Sequence, residues 1–295
     1  MRVLVTGGLG QLGSSIKGTA EALFPGEFEV IPIGRDDVDV TDPKTVDSVV
    51  GELIPDAIIN AAAYTNVDGA EDNVDAATEV NALAVQTLAE ICLRRCIRLA
   101  HVSTDYVFDG TASAPIGVDE RANPLSVYGR TKLAGEVSCR DVLGDLALVV
   151  RTSWVYASKH PNFVATMLRI MRRNHEITVV ADQFGTPTWT TTLAEGLLRL
   201  LASEAGGTFH LTDSGATTWH EFASAIAVMG HEKGLIDHRC AVRPITTAEY
   251  PTRATRPHYS VLDKSLTFER LQWKSPDWRD SLGMCLDNWQ DPKSL

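Results

Sequence analysis

A short β-branched run, Val3-Leu4-Val5, ends in Thr6-Gly7-Gly8-Leu9-Gly10-Gln11-Leu12-Gly13, and a helical pattern follows at once. Glycines at 7, 10 and 13 give a G-x-x-G-x-x-G turn between strand and helix. In a dinucleotide-binding turn each glycine has its own task. Gly7 makes the tight turn, Gly10 lets the backbone approach a diphosphate, and Gly13 lets the helix pack closely on the strand. The helix that opens at Gln11 and Leu12 would offer unpaired N–H groups and a positive dipole end to that diphosphate. A tight strand-to-helix turn without ligand uses the same glycines, so the flanking strand and helix give the motif its weight.

The rhythm of the first half agrees with such a fold. Phe28–Ile33, Ala57–Asn60, Leu99–Ser103 and Leu146–Val150 read as further strands, apolar on both faces as in a parallel sheet covered by helices. Pro32 weakens the first of these unless it lies near a strand end. Between Asp75 and Arg94 the apolar residues Val80, Leu83, Ala84, Leu88, Ile91 and Cys92 form one helical stripe. The alternation predicts an α/β fold, a doubly wound parallel sheet of Rossmann-like type.

After residue 155 the rhythm loosens. A helix over Asn162–Asn174, the run Ile177–Val180, a helix over Thr191–Ser203 and the run Thr208–Leu211 are followed by scattered aromatics and prolines. The expected division is a dinucleotide-binding domain over 1–154, with 177–204 returning to it, and a smaller, irregular substrate-binding lobe made mainly from 155–295.

Composition narrows the partners. With 44% apolar and 22% charged residues in 295, the chain can build a core and is not of the disordered class. Its formal charge of −11 repels phosphate backbones and anionic lipid, which argues against nucleic acid and membrane partners. Five scattered cysteines make no disulfide framework, and Cys92 and Cys96 lack a second pair at zinc spacing. No segment approaches the roughly 20 apolar residues of a membrane span, and the start lacks a signal-peptide pattern. A cytoplasmic protein is expected.

Cofactor choice should be legible where the second strand ends, at Gly34-Arg35-Asp36-Asp37. Arg35 can pair with a 2′-phosphate, which favours NADPH, with NADH also used; a solvated surface charge is the competing role. Asp39 can accept the adenine amino group with Val40 beside the ring. Asp42 before Pro43 reads as a helix N-cap.

Tyr128 and Lys132 form a Y-x-x-x-K pair one helical turn apart. A phenol is a reluctant acid–base group at neutral pH, and an ammonium nearby is expected to lower its pKa. The fourth strand ends in Ser103-Thr104-Asp105, and hydroxyls at a strand's carboxyl end face the ligand crevice of an open sheet. Thr104 can donate to a carbonyl oxygen as charge develops there, and Asp105 can orient the site or only tie the loop.

Together these residues resemble the extended short-chain dehydrogenase/reductase superfamily. The segments Asn60–Thr65 with Val67-Asp68, Ser103–Gly110, Val127–Glu136, Arg151–Tyr156, Asp182–Thr188, Thr217–Trp219 and Arg256-Pro257 are similar to its dTDP-4-dehydrorhamnose reductase branch. The resemblance implies NAD(P)H-dependent reduction of a 4-keto group on a dTDP-deoxysugar. In it Tyr128 protonates the forming alkoxide, Lys132 tunes Tyr128 and holds the nicotinamide ribose, and Thr104 bonds the reacting oxygen. It also implies Ala61, Ala62 and Ala63 beside the cofactor, and Trp154 as the ring that packs on the deoxysugar. Thr65, Val67, Asp105, Asn162 and Gln183 become further substrate contacts. Arg253 and Arg256 fit either the nucleotide diphosphate or a structural role. Some relatives dimerise through magnesium held by glutamates. Here Trp189-Thr190-Thr191-Thr192 carries hydroxyls instead, so no metal is expected and a homodimer stays open. Two other classes compete: an epimerase or dehydratase of the same superfamily, and a dinucleotide-binding regulator without catalysis. The complete Thr104, Tyr128 and Lys132 set argues against the regulator.

Overall fold

The computed structural model describes residues 1–291. In chain order the strands are β1 (Arg2–Thr6), β2 (Glu29–Ile33), β3 (Ala57–Asn60), β4 (Arg98–Thr104), β5 (Ala147–Thr152), β6 (Val155–Tyr156), β7 (Glu176–Val180), β8 (Phe184–Gly185), β9 (Thr188–Trp189), β10 (Gly207–His210), β11 (Thr217–Thr218) and β12 (Ala241–Ile245). The α-helices are α1 (Gln11–Leu23), α2 (Pro43–Leu53), α3 (Val67–Asp72), α4 (Val74–Thr78), α5 (Ala84–Arg95), α6 (Val127–Leu143), α7 (Phe163–Met171), α8 (Thr190–Ala202), α9 (Trp219–Glu232), α10 (Ser265–Leu271) and α11 (Trp278–Asp287).

Six strands form one parallel sheet in the order β10-β5-β4-β3-β1-β2. The chain leaves β1 for β2 on one side and returns to β3 on the other, so a crevice opens at the carboxyl ends of β1 and β3. Both faces are covered. Val3, Val5, Ile59 and Leu148 pack with α1 and α8 through Ile16, Leu193 and Leu197. Leu4, Ile58, Leu99 and Val149 pack with α2 and α5 through Val46, Leu88 and Ile91. Pro32 sits in β2, an edge strand, where its missing N–H costs no ladder bond. Asp42 accepts from Lys44 N at 3.0 Å and caps α2, with Pro43 in its first turn.

The second lobe has its own core, in which Tyr156, Val164, Leu168, Phe222, Ile226, Trp278 and Leu282 pack together. The boundary drawn at residue 177 shifts. β7 pairs with β12 in a separate two-stranded sheet of this lobe, not with the central sheet. The segment that does return is 190–210: α8 covers one sheet face and β10 extends the sheet beside β5. The predicted long helix over 75–94 is broken by a π-helical turn at Glu79–Leu83, between α4 and α5.

Candidate active site

A cleft of about 970 Å³ runs along the carboxyl ends of the strands and over to the second lobe. Gly7, Gly10, Gln11 and Leu12 form one wall, and Arg35, Asp39 and Val40 close that end. Ala61, Ala62, Ala63, Thr65 and Val67 follow β3; Thr104, Asp105, Tyr128, Lys132 and Trp154 lie at the other end.

The glycine loop is shaped by close backbone approach. Gly7 has φ +64°, in the left-handed region, and a Cβ there would stand 2.8 Å from Ala62 N. A Cβ on Gly13 would lie 2.4 Å from Gly8 Cα, so Gly13 serves packing of α1 and does not line the cleft. Gly10 is different: within 4 Å its Cβ would meet only Gly7 O, at 3.2 Å. The open space beside it is what an anion at a helix N-terminus requires. Gln11 Oε1 is buried there without a hydrogen-bond partner, an orphan acceptor that a donor on a bound molecule, such as a ribose hydroxyl, would satisfy. These residues fit a dinucleotide. Asp39 accepts from Thr41 N and Oγ1, bonds that hold its carboxyl below the usual range.

At the far end, Ser126 caps α6 by accepting from Gly129 N, which sets Tyr128 and Lys132 in its first two turns. α6 can come this close because Gly129 lies against the Tyr106 carbonyl and Gly135 against that of Asn81, each leaving 2.2 Å to an added Cβ. Tyr128 stacks edge-on against Tyr106 at 5.6 Å. Burial pushes its phenol up to about 12; the Thr104 hydroxyl pulls the other way and Asp105 adds to the rise. Lys132 is 2% exposed, donates to Val102 O at 2.7 Å and lies 3.3 Å from His101 Nε2. Burial pushes its ammonium down to about 8, against the attraction of Glu136.

Thr104 Oγ1 donates to Asp105 Oδ1 at 3.0 Å and accepts from Tyr106 N at 3.2 Å. The hydroxyl must therefore rotate away from Asp105 before it can donate to a carbonyl. Burial raises the Asp105 carboxyl to about 6, opposed by Ser260 and Thr104, and its Oδ2 has no partner.

Trp154, at φ +47°, stacks on Trp219 with ring centres 3.5 Å apart and planes at 8°. Gly185 lies against the same indole, where a Cβ would be 2.5–2.7 Å from three ring atoms. Trp154 thus borders the cleft with its ring stacked against Trp219, and a sugar reaches that ring face only if Trp219 moves.

Two expected substrate contacts fall outside the cleft. Asn162 caps α7, accepting from Ala165 N and donating to Ala157 O and His160 O. Gln183 donates to Thr247 Oγ1 and is buried within the second lobe. Arg256 pairs with Asp68 at 2.8 Å, and Arg253 pairs with Asp72, so both tie the 251–257 segment to α3. Trp219, Ser153, Thr152 and His160 also line the cleft; the first three fall in segments that carry the resemblance, but sequence gives none of the four a role. Nor does it give one to Asn81, whose buried side chain in the π turn accepts from Tyr64 N and donates to Tyr64 O and Thr131 Oγ1.

A parallel sheet with a glycine turn at its crevice, and a tyrosine and lysine one turn apart beside a strand-end hydroxyl, defines a nicotinamide-dependent oxidoreductase of the short-chain dehydrogenase/reductase class. Comparison with known proteins narrows the class. A family model described as the RmlD substrate binding domain matches residues 1–291, and the chain belongs to that family. A dTDP-4-dehydrorhamnose reductase from Burkholderia thailandensis is 39% identical, covering 97% of this chain and 98% of its own. A dTDP-4-keto-6-deoxy-D-glucose reductase from Streptomyces niveus is 40% identical over 88% of each. The crystal structure of dTDP-4-dehydrorhamnose reductase from Bacillus anthracis in complex with NADP has a TM-score of 0.90 at 33% identity, covering 97% of this chain and 98% of that one.

Proposed function

We propose that the protein is an NADPH-dependent reductase that converts dTDP-4-dehydro-L-rhamnose to dTDP-L-rhamnose in the cytoplasm. The observation that carries this reading is one continuous cleft with Gly10 and Arg35 at one end and Thr104, Tyr128 and Lys132 at the other. Family membership and the named relatives support the sugar nucleotide as substrate.

NADPH, when bound, supplies the hydride for C4. Gly7, Gly10, Gln11 and Leu12 would hold its diphosphate, Arg35 its 2′-phosphate, and Asp39 with Val40 its adenine. Ala61 to Ala63 lie along it. Tyr128, its phenol held protonated at neutral pH, gives its proton to the 4-oxygen as charge develops there. A raised pKa suits this direction, because reduction needs a donor that still holds its proton. Lys132, one turn further along α6 at the same end of the cleft, would supply positive charge there while it is protonated. Thr104, rotated from Asp105, donates to the same oxygen. Thr65, Val67 and Asp105 border the sugar, with Trp154 and Trp219 as the aromatic wall that excludes water. Domain roles follow: 1–154 with 190–210 carries the cofactor, and the remainder carries the sugar nucleotide.

A coupled assay tests the reading. The protein is given dTDP-4-keto-6-deoxyglucose, a 3,5-epimerase and NADPH, and the sugar product is identified. Rhamnose formed only with the epimerase present supports the proposal. Equal turnover without the epimerase favours the reaction named for the Streptomyces niveus relative. In either case Tyr128→Phe should bind NADPH normally and lose about 10²–10⁴-fold in turnover. Wild-type rates from that variant remove Tyr128 from the mechanism.

A further inference from the structure

Behind Lys132, on the side away from the cleft, lies a buried hydrogen-bond chain with a fixed direction. Asn60 Oδ1 accepts from Ala62 N at 3.2 Å and from Thr6 Oγ1 at 2.6 Å. A backbone N–H can only donate, so the orientation of the Asn60 amide is settled. Its Nδ2 therefore donates to His101 Nδ1, 3.1 Å away. His101 is fully buried, and burial first, then Lys132, holds its imidazole well below the usual range. A neutral imidazole carries one proton. With Nδ1 accepting, that proton is on Nε2, which points at Lys132 Nζ across 3.3 Å.

Two donors facing each other repel, whereas an amine lone pair accepts from Nε2–H. We propose that His101 is a positioning residue for Lys132, and that the Thr6–Asn60–His101 chain presents a donor to Nζ and so favours its amine over its ammonium form. The inference rests on the reductase reading only for its consequence in catalysis; the hydrogen-bond direction stands by itself. Burial already brings Lys132 to about 8, and the Nε2–H acts in the same sense. Glu136, one turn along α6, acts in the opposite sense, but its carboxylate is shared between Arg151 and Arg140. Tyr128 on α6 stays neutral, its phenol raised by burial and by Asp105. The charge on Lys132 is thus set to switch in the mildly alkaline range, about 8. Turnover should fall with rising pH as the ammonium is lost, and removing the His101 donor should move that limb upward.

Nitrogen NMR on the free protein tests this without substrate. In the wild type, histidine ring shifts should show His101 as the Nε2–H tautomer, and the Lys132 Nζ signal should titrate well below the surface lysines. His101→Phe keeps a ring and removes the donor. The Lys132 midpoint should then rise by about one unit, tenfold in the proton equilibrium, and the basic limb of the pH–rate profile should rise with it. An Nδ1–H tautomer in the wild type overturns the proposal even if His101→Phe fails to fold. So does a Lys132 titration that is unchanged in a folded His101→Phe protein. If the titration moves but no 4-keto sugar nucleotide is reduced, the positioning role stands and the reductase reading falls.

Discussion

Replacing Gly10 with alanine separates the cofactor role of the glycine turn from its structural role. Gly10 has φ −78° and ψ −176°, a conformation open to any residue. The new methyl would meet only the Gly7 carbonyl, at 3.2 Å. Loss of glycine's freedom in the unfolded chain stabilises by about 0.4–1 kcal/mol. The tight contact and the poorer helix N-cap oppose this by a similar amount, about 0.5–1 kcal/mol. Stability should therefore change by less than about 1 kcal/mol, which for a chain of this size is about 2–4 °C in melting temperature. The methyl stands where a diphosphate would approach, so the NADPH dissociation constant should rise at least about tenfold, 1.4 kcal/mol. Gly13→Ala is the contrast. Its methyl would lie 2.4 Å from Gly8 Cα and 2.5 Å from Gly7 O, both backbone atoms that cannot swing aside. Overpacking of that kind costs about 1–3 kcal/mol, so this variant should melt lower by several degrees. The assays are a thermal melt without ligand and a fluorescence titration with NADPH. A Gly10→Ala protein that binds NADPH as tightly as the wild type would refute the placement of the diphosphate.

Other perturbations address the rest of the cleft. Arg35→Ser should weaken NADPH about tenfold and leave NADH unchanged; equal effects on both in a binding titration would make Arg35 a surface charge. Glu136→Gln leaves the buried Arg151 guanidinium without its counter-ion, and chemical unfolding should show a loss of about 3–5 kcal/mol. Burial would raise the Glu136 carboxyl, but Arg151, Ser103 and Arg140 together outweigh burial and hold it below the ordinary glutamate value. Its contribution is thus present above that value and lost as pH falls through the folded pKa, so wild type and variant should converge in strong acid. The Trp154–Trp219 stack predicts a near-ultraviolet circular-dichroism couplet that vanishes in Trp219→Ala. If a sugar takes Trp154's face, saturating sugar nucleotide should reduce the same signal in the wild type; a couplet that survives Trp219→Ala places the rings apart.

The parts of the fold that sequence conveys are those set by local pattern. β1, its glycine turn and α1 are contiguous, and Tyr128 and Lys132 share a helix face by spacing alone. What stayed hidden depends on contacts distant in sequence. Ile177-Thr178-Val179-Val180 has the period of a sheet strand, but period does not say which sheet, and its partner Ala241–Ile245 is remote. Gly207–His210 reads less apolar than a core strand, because Arg151, Phe108 and the Asp263 carbonyl receive His210 in the interior. Asn162 looks like a ligand residue until its cap on α7 is seen. The π turn shifts the helix face, burying Asn81 and leaving Leu83 of the expected apolar stripe exposed, a change that sequence periodicity does not record.

The charges on α6 show how packing decides what spacing only suggests. Lys132 and Glu136 stand four residues apart, a separation that favours an ion pair on a helix. Glu136, however, accepts from Arg151 at 2.7 Å, from Ser103 at 2.5 Å and from Arg140 at 3.2 Å. The guanidinium fork takes the carboxylate because its planar geometry matches both oxygens, and a lysine offers only a point charge. Lys132 is left buried with a carbonyl and an imidazole, neither of which neutralises it. A buried ammonium without a close counter-ion contributes little to stability, which is why its place in the cleft wall one turn from Tyr128 reads as functional rather than structural. The Glu136–Arg151 pair thus keeps the carboxylate from Lys132 and leaves the lysine free to change its charge.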